Sequence, residues 1–244
     1  MLSTSIREFV DTALEPHVRG FLHTPNVPNG SGLVLTHGAG GNAQAPLLRA
    51  LAEAFAAAGF TVLRCNLPYR QTRSFGPPGP SDAARDRAGL KNAVAALNKI
   101  LNEMLSAPVP GDVASGGVCS TRESKTIFLG GHSYGGRQSS MLCAEEPALV
   151  RALLLLSYPL HPIGRPEQHR TQHLPDLRTP TLFVHGTRDP FGSIEELQLA
   201  IKMISAKTKL LTVEGAGHDL GFKGEKKEEN LPAAILREFE ALVT

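Results

Sequence analysis

The chain has 244 residues, 41% of them hydrophobic and 20% charged, with 25 Lys and Arg against 23 Asp and Glu for a net charge of +2. That length suits one α/β domain over residues 1–244, with enough chain to bury most of its apolar surface, and a balance so close to neutral gives no sign of a nucleic-acid partner or an anionic membrane surface. Three cysteines, Cys65, Cys119 and Cys143, have no CxxC spacing, so neither a disulfide framework nor a zinc site is indicated.

The first ten residues contain Arg7 and Glu8 and no continuous apolar run, and no later segment has the apolar length of a membrane span. A soluble, cytoplasmic protein without a membrane partner is the expectation. Residues 16–25 can supply a strand that forms an antiparallel hairpin with a second strand at 32–36, through the turn formers Asn26, Pro28, Asn29 and Gly30. A helix over 44–58 ends at Gly59 and a further strand spans 60–66, which makes one βαβ unit. A long helix at 81–105 has Ser81 as its N-cap and Asp82 in its first turn. Pro and Gly then break all periodicity over 108–125.

The apolar run Thr126, Ile127, Phe128, Leu129 leads into Gly131, His132, Ser133, Tyr134, Gly135 and a third glycine, Gly136. Strand, GxSxG and helix in that order present a nucleophilic serine on a strained elbow, whose flanking glycines stand where a Cβ would collide. Further strands follow at 152–157, 181–185 and 209–213, with a helix at 193–204, a charged loop at 223–230 and a last helix at 231–243. Alternating elements of this kind give an α/β fold, a mostly parallel sheet covered by helices on both faces.

A serine hydroxyl needs a histidine base and a carboxylate to orient that base. Asp189, in the loop 186–192, and His218, after Glu214–Gly215–Ala216–Gly217, each follow the carboxyl end of a strand, where catalytic groups of open α/β sheets gather. The order Ser133, Asp189, His218 is that of α/β hydrolases. Asp219 is the rival acid, ranked behind Asp189 because adjacent side chains on an extended loop diverge. His37, His132 and His185 read as packing or hydrogen-bonding groups at strand ends.

Charge developing on the substrate oxygen calls for preorganised N–H donors, each contributing roughly 3 to 4 kcal/mol. The loop 36–42 sits straight after a strand, and its Ala39 N–H paired with that of Tyr134 is the expected oxyanion hole. The same loop also fits GxGxxA through Gly38, Gly40 and Ala43, with Arg64 placed to meet a 2′-phosphate of NADP. That oxidoreductase reading leaves the elbow, Asp189 and His218 unexplained, so no cofactor is expected.

With HGAGG at 37–41, NLPYR at 66–70, GHSYGG at 131–136, YPLHP at 158–162, GTRDPFG at 186–192 and GAGH at 215–218, the chain resembles the α/β-hydrolase superfamily from about His17 to its end. The likeness is to the bacterial dienelactone-hydrolase-like branch related to the testis-expressed α/β-hydrolase-like protein and to subunit 3 of the nonspecific-lethal chromatin complex. Dienelactone hydrolases use a cysteine where this chain has Ser133, so the resemblance implies hydrolysis of small-molecule esters rather than lactone chemistry. The chromatin-associated branch implies a second class, a non-catalytic interaction scaffold. Residues 158–180, broken by Pro159, Pro162, Pro166, Pro175 and Pro180, do not suit a helical lid, which points to short-chain, water-soluble esters.

Overall fold

The computed structural model describes residues 4–106, 125–222 and 230–244. Along them run β1 (Ser5–Asp11), β2 (Val18–Thr24), β3 (Ser31–Thr36), α1 (Pro46–Ala57), β4 (Thr61–Cys65), α2 (Pro68–Thr72), α3 (Asp82–Ser106), β5 (Thr126–His132), α4 (Tyr134–Glu145), β6 (Leu153–Leu156), β7 (Thr181–Gly186), α5 (Ile194–Ile201), β8 (Thr208–Val213) and α6 (Leu231–Val243). The strands form one sheet in the order β1-β2-β4-β3-β5-β6-β7-β8. Only β2 runs against its neighbours; every other pair is parallel. This is the α/β architecture expected from the alternation of elements. Apart from Lys125 and Asn230, the loops expected at 108–125 and 223–230 lie outside the described residues.

The uninterrupted apolar strands follow from burial on both faces. Leu33, Leu35, Leu154 and Leu156 pack with Leu48 and Phe55 of α1 and Phe239 of α6 in one core. Their strand neighbours Val34, Leu153 and Leu155 face the other core, with Leu90 and Leu97 of α3 and Leu142 of α4. Helix ends are set locally. Pro46 opens α1 at a position where its missing N–H costs nothing, and Gly59 at φ 94° turns the chain back after it. Asn42 takes the Gln44 N–H into a side-chain turn, which delays the expected start of that helix. Ser193 and Glu196 close a reciprocal capping box on α5.

One pairing differs from expectation. β2 does not form a hairpin with β3; it pairs with β1 and β4, and β3 lies between β4 and β5. Asn29 fastens the connecting turn to the end of α1, its N–H donating to the Gly59 carbonyl and its amide to that of Ala58. The βαβ crossover then lays β4 on the edge of β3 that a hairpin would have used. β1 and the short α2 have no counterpart among the expected elements: β1 buries only Phe9, and α2 is five residues long.

Candidate active site

Ser133 stands at the N-cap of α4 with φ 52° and ψ −117°, a left-handed conformation that costs a non-glycine residue of order 1–3 kcal/mol. Surrounding contacts hold it there. The Ser133 N–H donates to Leu156 O at 2.8 Å, tying the elbow to β6. Gly135 lets the elbow pack directly on the loop after β3: a Cβ at that position would lie 2.5 Å from the His37 carbonyl oxygen. Gly38 makes the reciprocal approach, with a Cβ there meeting His132 Nδ1 at 2.8 Å and Ser133 Cβ at 3.2 Å.

The loops after β7 and β8 are zipped together by Thr187 N–H to Val213 O (3.1 Å), Arg188 N–H to Ala216 O (2.9 Å) and Gly215 N–H to Thr187 Oγ1 (2.8 Å). These bonds bring Asp189 and His218 side by side. His218 Nδ1 lies 2.8 Å from Asp189 Oδ2 and 3.0 Å from Oδ1, and Nε2 lies 2.8 Å from Ser133 Oγ. A carboxylate on Nδ1 fixes the tautomer, so Nδ1–H donates to Asp189 and Nε2 is free to accept the serine O–H. The Asp189 side chain is fully buried. Burial alone would raise its carboxyl, but the bonds from His218 and from the Phe191 N–H outweigh that and hold it below the ordinary value.

The Gly38 carbonyl accepts from His37 Nδ1 at 2.8 Å and from the Gly41 N–H at 3.0 Å. In a trans peptide the N–H points the opposite way, so the Ala39 N–H turns away from those donors; Ala39 itself lines the cleft. The first bond into α4 runs from Arg137 N to Ser133 O, which leaves the Tyr134 N–H among the helix's orphan donors.

The structure also sorts the remaining candidates. Asp219 lines the cleft, and its Oδ1 accepts the Gly221 N–H instead of facing His218 Nδ1. Each of the three strand-end histidines fastens a site loop: His37 as above, His132 to the His218 carbonyl at 2.7 Å, and His185 to the Gly192 carbonyl at 2.9 Å. Arg64 is buried and gives its guanidinium to His23 Nε2 and the Ala43 carbonyl, so it does not wait for a 2′-phosphate. Cys65 and Cys143 are buried, which pushes both thiols up to about 12, away from nucleophilic character.

Sequence reasoning missed Tyr69, Arg70 and Asp86. Arg70 donates Nε to Gly41 O (2.8 Å) and Nη2 to Ala39 O (2.9 Å), and the Tyr69 hydroxyl donates to Ala39 O (2.8 Å). These two residues set the shape of the loop after β3. The NLPYR motif that contains them was visible, but nothing in its spacing revealed which carbonyls it reaches.

Next to Ser133 and His218 opens a cleft of about 290 Å³ with an apolar wall of Ala45, Pro46, Leu47, Leu48, Phe191 and Phe222. No residue of 158–180 lines it. Among the described residues, no helix is long and apolar enough to cross a membrane.

A serine raised on a strand-to-helix elbow at the carboxyl edge of a mostly parallel sheet defines an α/β hydrolase. The chain matches the model of the alpha/beta hydrolase domain family over residues 29–242, and it belongs to that family. Its fold is similar to that of dienelactone hydrolase from Anabaena variabilis, with 20% identity over 98% of this chain and 96% of that one and a TM-score of 0.66. It is also similar to an α/β serine hydrolase homologue from Coxiella burnetii (16% identity, 97% and 95% covered, TM-score 0.67). A third similar structure is an α/β serine hydrolase without lid from Xanthomonas campestris (15% identity, 99% and 96% covered, TM-score 0.66).

Proposed function

We propose that this protein is a serine hydrolase of the carboxylesterase type that cleaves small, short-chain carboxylic esters through an acyl-enzyme. Ser133 Oγ attacks the ester carbonyl while His218 Nε2 takes its proton, and the Asp189 carboxylate stabilises the imidazolium. The Ala39 and Tyr134 N–H groups receive the oxyanion. Collapse of the tetrahedral intermediate breaks the bond to the alcohol oxygen, which leaves with the proton from His218. A water, deprotonated by His218, then attacks the acyl-enzyme; Ser133 is regenerated and the carboxylic acid released.

The observation that carries this reading is the unbroken hydrogen-bonded chain from Ser133 Oγ through His218 to a buried carboxylate. Substrate size follows from the cleft. At about 290 Å³ it falls at the bottom of the roughly 300–1,000 Å³ range of small-molecule pockets. Its apolar wall suits an uncharged acyl group, and the segment 158–180 stays clear of it, in keeping with the lid-free fold neighbour. Fluorophosphonate labelling with mass spectrometry, followed by a panel of p-nitrophenyl esters, tests the proposal. An adduct on Ser133 and turnover of acetyl or butyryl esters are expected. A folded protein that neither labels nor turns over would leave the scaffold reading in its place.

A further inference from the structure

Asp86 occupies the core-facing stripe of α3 together with Gly89, Leu90 and Ala93, and it is fully buried. A carboxylate removed from water is costly unless its oxygens are hydrogen-bonded. Here Oδ1 accepts the Tyr69 backbone N–H at 3.1 Å and Oδ2 accepts the Tyr134 hydroxyl at 2.8 Å. Burial pushes the carboxyl above its ordinary value, while the bonds from Tyr134 and Tyr69 hold it back.

The two partners lead to the two halves of the proposed oxyanion hole. Tyr69 carries its hydroxyl to the Ala39 carbonyl, where Arg70 joins it, so the loop after β3 is held from the α2 side. Tyr134 is the first residue of α4 and supplies the other N–H. The two tyrosine rings meet edge to face with centroids 5.9 Å apart. One carboxylate therefore grips two elements that are distant in sequence. Those elements must bring their donors to one point within about 0.5 Å for the hole to work.

We infer that Asp86 is a positioning residue that fixes the spacing between the Ala39 and Tyr134 N–H groups through Tyr69 and Tyr134. The inference rests on the ester-hydrolase reading above. A hole shaped for oxygen discriminates against sulfur, so the ratio of kcat/KM for an ester to that for its thionoester reports the alignment of the donors. Asp86→Ala is expected to lower this ratio at least tenfold with KM within threefold of the wild type, and Tyr134→Phe to lower it three- to tenfold. Asp86→Asn, whose amide can accept from the Tyr69 N–H and donate to the Tyr134 oxygen, should stay within threefold of wild type. An equal fall for both substrates, no fall in either, or an Asp86→Asn as impaired as Asp86→Ala would overturn the inference. If Asp86→Ala does not fold, Tyr134→Phe is judged alone by the same ratio. A wild-type protein that neither labels with fluorophosphonate nor cleaves any ester defeats the hydrolase reading itself, whereas an active wild type with unchanged ratios defeats only this inference.

Discussion

Nε2 of His132 donates to the backbone carbonyl of His218 across 2.7 Å, so the residue preceding the elbow serine holds the loop that carries the proposed base. His132→Phe keeps a ring in that space and removes the donor. Losing one such bond costs about 1 kcal/mol of stability, but a loop displaced by even an ångström costs far more in rate. The expected result is a kcat lowered about tenfold to a hundredfold and a melting temperature lowered by a few degrees, read from steady-state kinetics and calorimetry on the same sample. Unchanged kcat would show that the β8 loop is held well enough by its bonds to the β7 loop.

Asp189→Asn should be far more damaging than Asp219→Asn. Only Asp189 faces His218 Nδ1, and an amide there favours the wrong tautomer, a change that lowers kcat on the order of 10⁴-fold in the serine-protease case from which the figure comes. Asp219→Asn should remain within threefold of wild type. Ser133→Ala should abolish fluorophosphonate labelling and leave the melting temperature within a few degrees. If Asp219→Asn proved the more damaging of the two acid variants, the carboxylate would have to be reassigned.

Acid should destabilise the fold well above the carboxylate range. His23, His37 and His173 are lowered from 6.5 to about 4, in each case chiefly by burial. The folded state keeps them neutral down to about pH 4, whereas the unfolded chain protonates them near 6.5. The stability they contribute is therefore fully present above 6.5 and is lost as pH falls from 6.5 toward 4. Asp189, held below its ordinary value, adds a loss only below about 3.8. A melting temperature that drops on the order of 10 °C between pH 7 and pH 4.5 is expected. A flat profile over that interval would mean these histidines gain protons without unfolding.

What was legible in the sequence was whatever periodicity or local chain geometry encodes. Ser133 announced itself because an elbow needs glycine on both sides, and Asp189 and His218 because each follows a strand by a few residues. The place of β2 was hidden: the turn at 26–30 looks like a hairpin in sequence, and only the crossover through α1 decides that β4 takes the edge of β3. The Tyr69–Arg70 clamp was hidden for a related reason, since both residues act on carbonyls some thirty positions earlier. Asp86 left a trace that could have been followed. An acid in register with Gly89, Leu90 and Ala93 on an apolar helix stripe is a buried charge in need of partners.

Acyl-chain length gives the most direct check on the proposed substrate class. Ala45, Pro46, Leu47 and Leu48, at the start of α1, line the cleft of about 290 Å³ together with Phe191 and Phe222. That volume lies at the bottom of the roughly 300–1,000 Å³ range of small-molecule pockets. An acetyl or butyryl group fits beside a small alcohol; a palmitoyl chain overruns the cleft and exposes most of its methylenes to water, at a loss of roughly 0.8 kcal/mol for each one left unburied. Residues 158–180 stay clear of the opening, so that segment supplies no lid to swing away at a lipid surface. kcat/KM should accordingly peak at acetyl or butyryl in a series that continues through octanoyl and palmitoyl, with no jump in rate above the substrate's solubility limit. Leu47→Trp, which enlarges a side chain lining the cleft, should depress butyryl turnover at least tenfold more than acetyl turnover. An optimum at palmitoyl, interfacial activation, or equal effects of Leu47→Trp on both short esters would sink the assignment of this cleft to the acyl group.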